Sequence, residues 1–173
     1  MSEQKLLVGG GTELWCELVR AGERHARTQL SEDAESYLVF VLLKHLKDAP
    51  LLARVMALDW LHAAESLGRE RQEQLRDVGD RCLLMAGLFP SLARRRRVDH
   101  GYFIALGQGA YDGVASASRA GYAALFAHLA SVYRSMVAVL TGVASISGDG
   151  SWRATGLRVP GAAAGFRAAG TRH

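Results

Sequence analysis

Apolar residues recur at three- and four-residue intervals along most of this chain, and no stretch alternates as a half-buried strand would. Leu14, Leu18, Ala21 and His25, flanked by Trp15 and Val19, make the first helical stripe, about 13–28, with Thr12 as its N-cap. Residues 1–11 end in Gly9, Gly10 and Gly11 and read as a flexible leader. Ser31 followed by Glu32, Asp33 and Glu35 is a helix start, because acids favour the positive end of the helix dipole. The helix that follows runs to about Lys47. It is apolar nearly all round in its middle, which predicts a central place in a bundle.

Pro50 stops that helix and opens a third, about 51–67, that ends at Gly68. Residues 69–81 carry charges of both signs and read as solvated helix with i, i+4 pairs. At Cys82, Leu83, Leu84 and Met85 the pattern turns apolar, and Gly87 and Pro90 close this fourth helix. A fifth is expected over about 99–115. After Ser116, Ala117 and Ser118 comes a sixth, to about Val143, with Leu125, Phe126, Leu129, Tyr133, Met136 and Leu140 on one side. From Ser145 onward six glycines and Pro160 interrupt any pattern, so residues 145–173 read as a disordered tail. The expectation is all-α: one bundle of about six mainly antiparallel helices over residues 12–144, between leader and tail.

Composition adds bounds. The 173 residues suffice for one sizeable core, and 49% hydrophobic with 22% charged residues is ordinary globular usage. The net charge of +4 is uneven. Residues 145–173 hold four arginines against Asp149 alone, a net of +3, which leaves +1 for residues 1–144. The body is thus nearly neutral, and nucleic acid is an unlikely partner even with the basic tail. The longest apolar run, residues 37–43, is too short for a membrane span, and the N-terminus lacks the pattern of a signal peptide. Cys16 and Cys82 have no metal-clip spacing and read as free thiols in a reducing cytoplasm.

The histidines carry the candidate chemistry. At 100° per residue His25, His45, His62 and His100 each turn inward or nearly so, while His128 lies off its stripe and looks exposed. Up-and-down topology would gather His25, Asp59, His62 and Glu65 at one end, together with Glu35. It would gather His45 and His100 at the other. Imidazoles and carboxylates from facing helices suit a transition metal, or a haem, although only one Asp-x-x-His is present where di-iron bundles use paired Glu-x-x-His. The competing reading is a set of structural histidines satisfied by backbone or carboxylate groups. No Gly-x-Ser-x-Gly turn occurs, and Gly107, Gln108 and Gly109 lie in a helical pattern with no preceding strand, which excludes a dinucleotide fingerprint.

Arg94, Arg95, Arg96 and Arg97, next to His100, form the densest charge run and could present an anion-binding or partner surface; a solvated connection is the plainer alternative. Gly101, Ala105, Gly109 and Gly113, with Asp112 at the edge, make a small-residue stripe on the fifth helix. It reads as a packing seam within the monomer or across a dimer. The phrases 75–80, 86–90 and 98–102, followed by Gly107, Ala110 and Tyr111, resemble a family of uncharacterised bacterial all-helical proteins over roughly residues 31–115. That resemblance implies a bacterial helical domain and assigns no residue a role. The expected function is a cytoplasmic binding or regulatory module acting through protein contacts, with a metal- or haem-binding bundle, or metal-dependent enzyme, as the alternative.

Overall fold

The computed structural model describes residues 2–46, 71–89 and 99–147, and among these it is all-helical. Six helices are seen: α1 (Ser2–Ala26), α2 (Glu32–Leu46), α3 (Arg71–Gly87), α4 (His100–Ala117), α5 (Ala120–Ser131) and α6 (Tyr133–Ser147). The third helix expected from sequence, with Asp59, His62 and Glu65, lies outside the described residues, as do residues 94–97 and the tail.

Local chemistry sets the helix ends. Ser31 caps α2: its Oγ accepts the Ala34 N–H at 3.2 Å, and Glu32, Asp33 and Glu35 fill the first turn. α1 stops at Arg27, whose φ of 52° is left-handed, and Thr28 N–H closes the turn onto the Glu23 carbonyl at 3.0 Å. The helical backbone of α1 begins at Ser2 and runs through the triple glycine that the sequence assigns to a leader. Gly11 has open space around it, and Trp15 is buried.

The expected sixth helix is two helices. α5 and α6 meet at Val132 (φ −102°, ψ 12°) with a bend of 64°. The Ser131 hydroxyl donates to the His128 carbonyl at 2.6 Å, an acceptor it shares with the Val132 N–H at 3.1 Å. The apolar stripe survives the break, since Phe126, Leu129, Tyr133, Met136 and Leu140 are all buried. No single described helix is long and apolar enough to cross a membrane; the bent α5–α6 pair reaches that threshold only when its two halves are counted together.

α3 packs on α4 and α6, α1 on α6 and α2, and α4 on α5. The helix at the centre is α3 and not α2. Every residue from Val78 to Gly87 is buried, whereas α2 leaves Phe40 and Lys44 exposed. The mixed-charge reading of residues 69–81 therefore fails at its C-terminal end. Asp77 and Arg81 make the expected i, i+4 pair at 2.9 Å, but Asp80 and Arg81 are buried.

Of the two readings of the small-residue stripe of α4, the described residues bear on the seam within the monomer. Gly101, Ala105 and Gly109 are exposed and a Cβ on Gly109 would meet nothing within 4 Å, whereas one on Gly113 would crowd Leu75 of α3 and one on Gly101 the Asp99 carboxylate. The buried side of α4 is Phe103, Ile104, Gly107, Ala110, Tyr111 and Val114. Gly107, outside the stripe, is the glycine of α4 in closest approach among the described residues. A Cβ there would overlap the Tyr133 hydroxyl and crowd Cβ of Cys82.

Candidate functional site: a buried carboxylate beneath an aromatic face

Asp80 projects from the middle of α3 and is fully buried. Its Oδ1 accepts two phenols at 2.7 Å, Tyr37 from α2 and Tyr111 from α4. Its Oδ2 faces Nε2 of His45, near the end of α2, at 3.4 Å, a pairing in which the ring N–H donates. One carboxyl group thus ties three helices together, and a carboxylate, which only accepts, is suited to three converging donors. Nδ1 of His45 is buried and has no partner among the described residues.

Neighbouring glycines make room for the rings. Gly79 lies against the Tyr111 ring, where any Cβ would overlap Cε1 and Cδ1. The Gly79 carbonyl in turn accepts the Tyr133 phenol at 2.8 Å. Tyr111 stands edge-on to Tyr37, Phe126 and Tyr133 at centroid separations of 5.9, 5.4 and 5.2 Å, within the range where aromatic quadrupoles attract.

Burial governs the acid–base behaviour of these groups. The phenols of Tyr37 and Tyr111 are held far above their ordinary range, first by burial and then by the Asp80 charge. Burial does the same to Tyr133, with Cys82 and Asp80 adding to it, and pushes the Cys82 thiol up to about 12. The cluster is therefore built to keep three phenols and a thiol protonated. It fixes ring orientation and does not supply a nucleophile.

Toward the surface the same rings support an exposed layer. Phe40 (43% exposed) packs on Tyr37, and Tyr122 (41% exposed) packs on Phe126. Arg76 donates to the Tyr122 hydroxyl at 3.0 Å and stands 5.5 Å from the Phe40 ring centre, with Lys44 6.0 Å from the same centre. An aromatic and cationic face thus sits directly over the Asp80 cluster, contributed by α2, α3 and α5.

The expected metal set is not assembled among the described residues. His25 is exposed near the end of α1 and does not turn inward, because the buried side of that helix is set by Trp15, Val19 and Gly22. Asp59, His62 and Glu65 lie outside the described residues, and no three His, Cys, Asp or Glu side chains within them form a metal-holding group. His45 is buried as the periodicity predicts. His100 stays on the core-side flank of α4 and donates from Nε2 to the Ala86 carbonyl at 2.9 Å, although its ring remains exposed. His128 is half-buried and bonded to Ser31.

Sequence reasoning missed Asp80, Tyr37 and Tyr111. The signal was present: Asp80 falls three and four residues before Leu83 and Leu84, on the apolar side of its helix. Compared with protein-family models, curated proteins and solved structures, the chain finds no match in any of the three.

Proposed function

We propose that this chain is a helical binding module that acts through protein–protein contacts, and that the Phe40–Tyr122 face is its contact surface. The observation that carries the reading is the pairing of two large exposed rings with Arg76 and Lys44 over a rigid, hydrogen-bonded support. Exposed aromatics and arginine are the side chains that dominate binding energy at protein interfaces. Rings fixed from behind also lose little conformational entropy on binding. The free thiols of Cys16 and Cys82 fit a bacterial cytoplasm as the setting. The segment bearing Arg94, Arg95, Arg96 and Arg97, with the exposed face of α4, is the competing location for the contact.

The test is co-purification from source cells producing the tagged chain at native level. Phe40→Ala combined with Tyr122→Ala is expected to release the partner while α-helix content and melting temperature stay near those of the parent. Release only on reversing the charges of residues 94–97 to Glu would move the contact to that segment. Retention in both variants would contradict the reading.

A further inference from the structure

A second feature lies away from the aromatic–cationic face and does not depend on it. Ser31, at the N-terminus of α2, and His128, in the last turn of α5, are 97 residues apart in sequence, yet the serine Oγ is 2.6 Å from Nε2 of the imidazole. The serine accepts the Ala34 N–H, and with the proton of neutral His128 on Nδ1 the hydroxyl donates to Nε2. Its side chain is exposed. A hydroxyl hydrogen-bonded to an imidazole is the basic unit of nucleophilic acyl transfer.

The ends of the two helices favour that use. The Glu32 and Asp33 amides begin α2 and donate to no group among the described residues. They follow Ser31 directly in the chain, and the amide following a nucleophile is a recurrent oxyanion donor. The imidazole lies at the opposite, negative end of α5, which favours the cation formed when it takes the serine proton. At the α1–α2 connection that leads into Ser31 opens a surface groove lined by Arg20, Glu23, Arg24, Arg27, Thr28, Gln29 and Glu35, three arginines against two carboxylates. Arg20 is paired with Glu35 at 3.1 Å, whereas Arg24 and Arg27 form no ion pair among the described residues. Their charge suits a carboxylate on the substrate.

We propose that Ser31 and His128 form a nucleophile–base pair for acyl transfer from small esters whose acyl chain ends in a carboxylate. Oγ of Ser31 bonds to the ester carbonyl carbon as its proton passes to Nε2 of His128. The bond to the leaving alcohol then breaks, and that alcohol takes the proton from the imidazole. Water then attacks the acyl-serine carbonyl carbon as it gives a proton to the same nitrogen; the bond from that carbon to Oγ breaks, and Oγ takes the proton from the imidazole, which releases the acid and the free serine.

The test uses the full chain with mono-p-nitrophenyl glutarate, and p-nitrophenyl acetate as the uncharged comparison. A glutaryl adduct is expected on the Ser31 peptide by mass spectrometry. It should be lost in Ser31→Asn, because asparagine caps a helix as well as serine does and has no nucleophilic oxygen. His128→Gln keeps a polar group in place and is expected to slow p-nitrophenolate release about 100-fold. Arg24→Gln should lower the preference for glutarate over acetate. Absence of an adduct, equal labelling of folded Ser31→Asn, or an unchanged rate in His128→Gln overturns the proposal. Acylation without preference for glutarate overturns the assigned substrate class.

Discussion

Tyr111 donates its phenol to Oδ1 of Asp80 at 2.7 Å, and it can do so only because Gly79, the residue beside that aspartate, leaves space for the ring. Two adjacent positions on α3 thus serve one side chain on α4. Removing the acceptor should be costly. Asp80→Ala strands two buried phenols and is expected to lower stability by about 2–4 kcal/mol, with Asp80→Asn nearer about 1 kcal/mol because an acceptor oxygen remains. Urea unfolding followed by circular dichroism reads both values.

Tyr37 and Tyr111 share one oxygen, so their contributions are coupled. Tyr37→Phe and Tyr111→Phe should each cost about 1 kcal/mol. The double variant should depart from their sum by about 0.5 kcal/mol or more, as expected for partners in one network. Additive losses would show that the two hydrogen bonds act independently.

Two glycines on α4 make an internal control. Gly107→Ala drives a methyl into the Tyr133 hydroxyl and should destabilise by about 1–3 kcal/mol or more, since the crowding atoms belong to a buried, hydrogen-bonded ring. Gly109→Ala, two residues on, meets open space and should stabilise the helix by up to about 1 kcal/mol. Thermal melts of the two variants should shift in opposite directions.

Alkaline pH should weaken the fold. The folded-state pKa values of Tyr37, Tyr111 and Tyr133 are raised above the unfolded value near 10, chiefly by burial. The folded state therefore holds these protons more tightly than the unfolded state. Their contribution is intact below about pH 10 and is lost as pH rises beyond it. Phenolate absorbance at 295 nm from these three residues should appear only as the helical signal collapses. The Cys82 thiol, buried and raised to about 12, should likewise resist iodoacetamide at pH 8 until the protein is unfolded.

Periodicity carried most of the fold. The class, the start of α2 at Ser31 and the inward turn of His45 follow from three- and four-residue spacing and from capping chemistry. The bend at Val132 does not, because the apolar stripe passes through it without a break. Nor does the Asp80 cluster. Six charged side chains precede Asp80 between Arg69 and Asp77, and composition alone cannot separate a solvated carboxylate from one whose donors come from α2 and α4. The small-residue stripe did not mark the closest packing of α4 within the described residues for a related reason. Gly101 and Gly109 share a face, but the glycine in closest contact is Gly107, and which face a helix buries is decided by its larger residues, Phe103, Ile104 and Tyr111.

The claim that the face above Asp80 is a contact surface is most directly tested by photo-cross-linking in living cells. A benzophenone side chain would replace Phe40, with the exposed Ala127 on α5 as the control position. Illumination is expected to give one discrete adduct from position 40 and none from position 127. No adduct from position 40, or equal adducts from both, would contradict the account.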